Sequence, residues 1–204
     1  MKIYVVGNDG GVTTWLRDRK HNVLNINNPL EVAEGIENPD LVVFTGGEDV
    51  WPALYGAKNT ASGCNPRRDL TEMIWFHRFH RVPKLGICRG GQFLNVMCGG
   101  SMIQDRPYHA IAGYHQARCL VTDRVLLVTS THHQEMVPGA GGNVIGVGHG
   151  MPDGLASTEV VSYAKDNALC FQPHPEYSVD DKNNNTIAFL QGVIKFTFGK
   201  AVHT

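Results

Sequence analysis

KLGICRGGQFLN, residues 84–95, runs from a short apolar stretch through a cysteine between glycines into a segment of helical character. KLGI has the length and composition of a buried strand, and Gln92 to Met97 reads as a helix. Between them, Gly86-Ile87-Cys88-Arg89-Gly90 fits G-x-C-x-G, the thiol form of the strand-to-helix turn called a nucleophile elbow. Small residues two positions to either side let strand and helix approach, and the residue at the apex sits in strained backbone. The apex also lies at a helix N-terminus, where partial positive charge favours a thiolate. The backbone N–H of Arg89 points toward the same spot and can form half of an oxyanion hole. Against this stands the burial preference of cysteine: taken alone, Cys88 is equally well explained as a small core residue.

Outward from this turn, strands and helices alternate. KIYVV (2–6) reads as a buried strand followed by a turn at Asp9-Gly10-Gly11. Thr13 to Lys20 reads as a short helix, Val23 to Ile26 as a second strand, and DLVVFTGG (40–47) as a third that stops at paired glycines. Asp69 to His80 is predicted as a helix capped by Asp69 with Glu72 three residues on, its apolar stripe formed by Leu70, Met73, Ile74 and Phe76 to Phe79. This order implies parallel pairing with right-handed crossovers, hence a layered α/β fold: a mostly parallel sheet flanked by helices. Beyond Gln104 the pattern changes. Arg118 to Val121, Val125 to Thr129, Asn143 to Val147, Val160 to Ala164 and Leu169 to Gln172 are strand-like, and antiparallel strands at one edge account for them. Thr186 to Phe198 reads as a closing amphipathic helix.

Composition narrows the function classes. The 204 residues, without repeat or linker, are expected to form one domain over 1–204, and 42% hydrophobic residues suffice for a sizeable core. A net charge of −1 gives no basic tract for nucleic acid and no electrostatic membrane anchor. MKIYVVGNDG has too short an apolar run for a signal peptide, and no stretch approaches a spanning helix. Five cysteines without a CxxC pair fit neither a disulfide framework nor a zinc knuckle. A cytoplasmic protein is the economical expectation.

Two further stretches weigh on the reading of Cys88. FQPHPEY (171–177) follows a predicted strand and carries His174 and Glu176 two residues apart. In extended backbone such residues project to one side, with Pro175 holding φ between them. Glu176 can then fix the tautomer of His174 while the other ring nitrogen faces the sulfur. Alone, P-H-P-E is turn-like with exposed polar residues. FTGG (44–47) supplies glycine amides at the end of another predicted parallel strand, where open α/β sheets place their ligands.

With these segments together, GICRGGQFLN, GGSMIQD (99–105) and FQPHPE resemble the class I glutamine amidotransferase family and its Cys–His–Glu triad. TGGEDVWPALYG (45–56), RRDLTE (67–72) and STHHQEMV (130–137) are similar to the gamma-glutamyl hydrolase branch, which includes gamma-glutamyl-gamma-aminobutyrate hydrolases. The resemblance implies Cys88 as nucleophile, His174 as base and then acid, and Glu176 as its orienting partner. Gly47 and Arg89 would give the two oxyanion N–H groups, Gln92 would lie near the glutamyl end of the substrate, and His133 would line the same cleft. Gly91 stands where the family usually has a bulky apolar residue, Pro173 where an aromatic commonly precedes HPE, and Cys98 where an apolar residue precedes the glycine pair.

The implied activity is hydrolysis of a gamma-glutamyl amide bond in a small molecule, through a thioester, with no metal and no organic cofactor. Two alternatives share the fold: a glutaminase subunit feeding ammonia to a synthetase partner, and a catalytically silent binding module. A homodimer is left open. No metal site is read from the ten histidines: none falls in H-E-x-x-H, and the adjacent His132 and His133 point to opposite faces of a strand. His77 and His80 are read as a solvated helix flank, and Trp75, Phe76 and Phe79 as core or subunit interface. Cys64, Cys98, Cys119 and Cys170 are read as packing residues.

Overall fold

The computed structural model describes residues 1–8, 11–29, 36–106, 113–150, 154–178, 185–199 and 202; of the turn expected at Asp9-Gly10-Gly11, the first two residues lie outside these. The elements are β1 (Lys2–Val6), α1 (Val12–Asp18), β2 (Asn22–Asn25), β3 (Leu41–Phe44), α2 (Pro66–Arg78), β4 (Lys84–Ile87), α3 (Arg89–Met97), β5 (Ser101–Ile103), β6 (Gly113–Cys119), β7 (Arg124–Ser130), β8 (Glu135–Val137), β9 (Gly142–His149), β10 (Thr158–Tyr163), β11 (Ala168–Phe171) and α4 (Thr186–Phe198). Nine strands form one mixed sheet in the order β2-β1-β3-β4-β11-β10-β9-β6-β7. The first five pair in parallel and the rest are antiparallel. β5 and β8 form a separate antiparallel pair.

The near-continuous apolar runs of β1, β3, β4 and β11 follow from burial on both faces. Ile3, Val5, Leu41, Val43, Leu85, Ile87, Leu169 and Phe171 meet Trp15 and Leu16 of α1 and Phe189, Leu190, Val193 and Ile194 of α4. The alternate residues Tyr4, Val6, Val42, Phe44 and Cys170 meet Trp75, Phe76, Phe93 and Leu94 of α2 and α3. The result is three layers, α/β/α, as the alternation of elements implies.

Three readings are corrected. Asn65, not Asp69, caps α2: its side chain accepts from the Arg68 N–H and Pro66 occupies the first turn. Asp69 is fully buried one turn inside, because its carboxylate is claimed by the Trp51 N–H and the Arg89 guanidinium. The buried face of α2 is Asp69, Glu72, Trp75 and Phe76, while Leu70 and Ile74 lie half-exposed. Finally, β11 belongs to both halves of the sheet, parallel to β4 on one side and antiparallel to β10 on the other. Its four buried residues show no alternation that could report this.

Candidate active site

The register of the central strands sets the level of the site. Phe44 of β3 pairs with Gly86 of β4, and Ile87 with Phe171 of β11. The segments leaving these three carboxyl ends, Thr45-Gly46-Gly47, Cys88 and Gln172 to His174, therefore emerge side by side.

Cys88 occupies a backbone position at φ 51°, ψ −114°, one residue before α3. A non-glycine residue there costs about 1–3 kcal/mol of local strain, which the surroundings must hold in place. Its N–H donates to Phe171 O at 2.8 Å, and its carbonyl accepts from Gln92 N at 3.1 Å. The flanking glycines are required by contact. A Cβ on Gly86 would stand 2.3 Å from Gly90 O, and one on Gly90 only 2.0 Å from Phe44 O. Gly91 also abuts β11: a Cβ there would lie 2.9 Å from Phe171 N.

His174 is fixed at backbone and ring. Its N–H donates to Thr129 Oγ1 at 2.6 Å, and Nδ1 shares a 2.6 Å hydrogen bond with Glu176 Oε1. A carboxylate at Nδ1 requires the proton on that nitrogen, leaving Nε2 for the sulfur. The ring is buried, hydrogen-bonded to Cys88, and stacked on Tyr177 at 4.4 Å. The expected extended backbone is absent: Pro175–Ser178 is a 3-10 turn. The pairing of residues 174 and 176 is thus made by a turn that folds Glu176 back beneath the ring. Burial works against the charged imidazolium. The Cys88 thiolate, its hydrogen bond and Glu176 outweigh it and push the His174 pKa up to about 10.

The Thr45–Gly47 segment is gripped from behind. Arg68 donates through Nη2 to Thr45 O at 3.1 Å and Gly46 O at 2.9 Å. Its Nε reaches Glu72 Oε1 at 2.8 Å and Nη1 reaches Glu48 Oε2 at 3.0 Å. Gly47 has φ 141°, and a Cβ on it would overlap Arg68 Nη1 at 2.1 Å. In a trans peptide the N–H opposes the carbonyl, so an anchored Gly46 O sends the Gly47 N–H to the side away from Arg68. The Arg89 guanidinium is buried and pairs with both Asp69 and Glu72. One charge network therefore holds both segments whose amides were singled out from sequence. Burial raises the Asp69 pKa despite the Arg89 charge beside it.

A cavity of about 240 Å³ opens on Cys88, lined by Gly47, Asp49, Arg89, Gln92 and Thr131 to Gln134. All seven sequence-derived residues thus fall into one region: Cys88, Gly47, Arg89, Gln92 and His133 around the cavity, His174 against the thiol and Glu176 behind its ring. Gln92 is buried and turns its amide to Gln172 Oε1 at 3.1 Å, while Gln172 Nε2 lies 3.4 Å from Cys88 Sγ. His133 stands 3.2 Å from Asp49 on the cavity wall. Gln172 was missed from sequence although it sits two residues before His174. Thr129 was missed because nothing in the chain links it to a residue 45 positions away.

A strained thiol at a helix N-terminus, a His–Glu pair against it and a three-layer sheet define an enzyme of the class I glutamine amidotransferase type. The Peptidase C26 family model matches residues 22–139, and the chain belongs to that family. It is 31% identical over 186 residues to the glutamine amidotransferase-like protein YvdE of Lactococcus lactis subsp. lactis, covering 78% of this chain and 76% of that one. A Mycobacterium tuberculosis protein named as a glutamine amidotransferase is 31% identical over 172 residues, and the match spans 56% of its length. Among solved structures, a GMP synthase subunit protein from Thermoplasma acidophilum superposes with TM-score 0.68 at 16% identity, over 98% of this chain and 95% of that one. PurLQS from Thermotoga maritima gives TM-score 0.62 at 14% identity, over 96% and 99%. These two likenesses establish the fold. Among the described residues no helix is long and apolar enough to cross a membrane.

Proposed function

We propose that the chain hydrolyses a gamma-glutamyl amide bond, with Cys88 as nucleophile, His174 as proton carrier and Glu176 as its orienting partner. The observation that carries this reading is the Glu176–His174–Cys88 alignment, closed at 2.6 Å on the carboxylate side and by a hydrogen bond on the thiol side. The Cys88 sulfur attacks the side-chain carbonyl carbon, and the oxyanion takes hydrogen bonds from the Gly47 and Arg89 amides. The C–N bond then breaks as the His174 imidazolium gives its proton to the departing amine. In the thioester the sulfur carries no charge, so two of the causes holding the His174 pKa high are gone. His174 can then take a proton from water, whose attack releases glutamate and restores the thiol. No step calls on a metal or organic cofactor.

The branch-like segments 45–56 and 130–137 support a freestanding hydrolase acting on a gamma-glutamyl amine: both line or buttress the cavity, through Gly47 and Asp49 in the first and Thr131 to Gln134 in the second. The alternative, a glutaminase serving a synthetase, draws its support from the fold likeness to GMP synthase and PurLQS proteins. Glutamate release by wild type and Cys88→Ala, from glutamine and from gamma-glutamyl amines, separates them. We expect release from a gamma-glutamyl amine above that from glutamine, and none from a folded Cys88→Ala protein. Turnover surviving in Cys88→Ala would remove the thiol from the mechanism. Wild type silent on every amine, yet alkylated at Cys88 by a glutamine analogue, would favour the glutaminase. Failure of that alkylation in folded protein would favour a binding module.

A further inference from the structure

His115 of β6, His132 after β7 and Glu159 of β10 meet in the antiparallel half of the molecule, where the proposed chemistry makes no use of them. One ligand atom from each lies within 4.8 Å of the other two. His115 Nε2 is 3.2 Å from Glu159 Oε1, and His132 Nε2 is 3.9 Å from Glu159 Oε2. Glu159 is fully buried, and the side chains of His132 and His115 are 2% and 12% exposed.

The His115–Glu159 separation is that of two ligands sharing an ion, and the His132–Glu159 separation exceeds it by roughly half an ångström. Donors placed 2.0–2.2 Å from a tetrahedral zinc stand roughly 3.3 Å from one another. The tautomer of His132 points the same way. Its Nδ1 lies 2.9 Å from Gln134 O, a carbonyl that can only accept, so Nδ1 carries a proton and Nε2 is the nitrogen turned to the carboxylate. A carbonyl that orients the far nitrogen of a histidine is a recurrent support for metal ligation. Glu159 is likewise steadied, by the Ser157 hydroxyl at 2.9 Å from Oε1.

We propose that His115, His132 and Glu159 form a binding site for a divalent transition-metal ion of the zinc type. Two neutral imidazoles and one carboxylate give three protein ligands and leave a fourth position. His132 also lines the Cys88 cavity, so an ion here ties the Thr131–Gln134 wall of that cavity to strands β6 and β10. The role is that of a clamp on the cavity wall, and it does not depend on Cys88 being catalytic.

The test uses the full chain, stripped with chelator, in wild-type form and with Cys88→Ser so that the thiol cannot supply a ligand. Zn²⁺ is titrated against a chromogenic chelator, and Co²⁺ serves as spectroscopic probe. One ion per chain is expected in both forms, with nitrogen and oxygen ligation and no thiolate charge-transfer band. Glu159→Gln and His115→Asn should each weaken binding by about tenfold or more, their folding being checked by thermal melts without metal. X-ray absorption on the zinc-loaded wild type counts imidazole ligands directly and stands even if both variants unfold. Two imidazoles are expected. The proposal is overturned by no competition with the chelator, by unchanged affinity in folded variants, or by a ligand set with fewer than two imidazoles. The first result would leave the cluster a buried imidazolium–carboxylate group; the second would send the ion to surface histidines such as His77 and His80.

Discussion

The charge on His174 has two sources of different permanence. In the proposed cycle Glu176 stays throughout, whereas the thiolate vanishes on acylation. With its folded pKa raised to about 10 against an ordinary 6.5, His174 contributes stability that is complete below pH 6.5 and is lost as pH rises through about 10. Removing the thiolate should lower that pKa, so NMR titration of the imidazole in Cys88→Ala is expected to move toward the ordinary value. An unmoved titration would mean that Glu176 alone sets it. Arg68 is a second residue whose effect is indirect. Arg68→Lys keeps the charge but loses the fork that spans Thr45 O, Gly46 O and Glu72, so the Gly47 peptide is freed to turn. With one oxyanion donor worth about 10²–10³ in kcat, we expect kcat to fall roughly 10–100-fold with KM little changed. A rise in KM with kcat unchanged would place Arg68 in substrate contact instead. Arg89→Met leaves Asp69 buried without its cation and Glu72 with Arg68 alone, and should cost about 3–5 kcal/mol in denaturant unfolding.

At the scale of elements, the strand–turn–helix unit β4–Cys88–α3 is legible from spacing alone, because the glycine pattern answers a local steric demand. A methyl group on Gly90 meets the Phe44 carbonyl, which belongs to the neighbouring strand and cannot swing away. Gly90→Ala is therefore expected to destabilise by at least about 3 kcal/mol, read as a lowered denaturation midpoint. The α2 helix is less legible. Its inner face begins with two carboxylates, Asp69 and Glu72, and a hydrophobic periodicity scan assigns such residues to solvent. Arg68 meets Glu72 from within α2, but Asp69 takes its cation from Arg89 of α3, about 20 residues along the chain. The short pair β5–β8 escaped notice for a similar reason. Its three-residue strands are stitched by Asn95, whose amide donates to Ser101 O and Val137 O and accepts from Tyr163 Oη at 2.7 Å. The GGSMIQD segment thus serves to close a small sheet against α3, with Gly100 packed on the Asn95 side chain and Gln104 bonded to the 58–62 loop.

For the molecule as a whole, β11 is the seam. It closes the parallel half that presents Cys88 and opens the antiparallel half that presents Glu159 and His115, and Gln172 at its end touches the thiol. Strands β3, β4 and β11 are covered on both faces, whereas β2 and β7 are edges. Hydrogen exchange should accordingly be slowest at the amides of β3, β4 and β11 and fastest, among the strands, at β2 and β7. Equal protection across the sheet would mean that the seam and the edges open together.

What the sequence by itself determined is local: the elbow around Cys88, the parallel core strands, the closing helix 186–198 and the segments that hold the candidate site. Each rests on a spacing of a few residues, where steric and hydrophobic demands act on near neighbours. The tertiary structure decided the rest: which strand β11 would join, the turn that sets Glu176 under His174, the Arg68–Glu72–Arg89–Asp69 network and the meeting of His115, His132 and Glu159. These depend on charges and hydrogen bonds between segments far apart in the chain. Burial that a lone polar residue could not bear becomes stable only when its distant partner is in place.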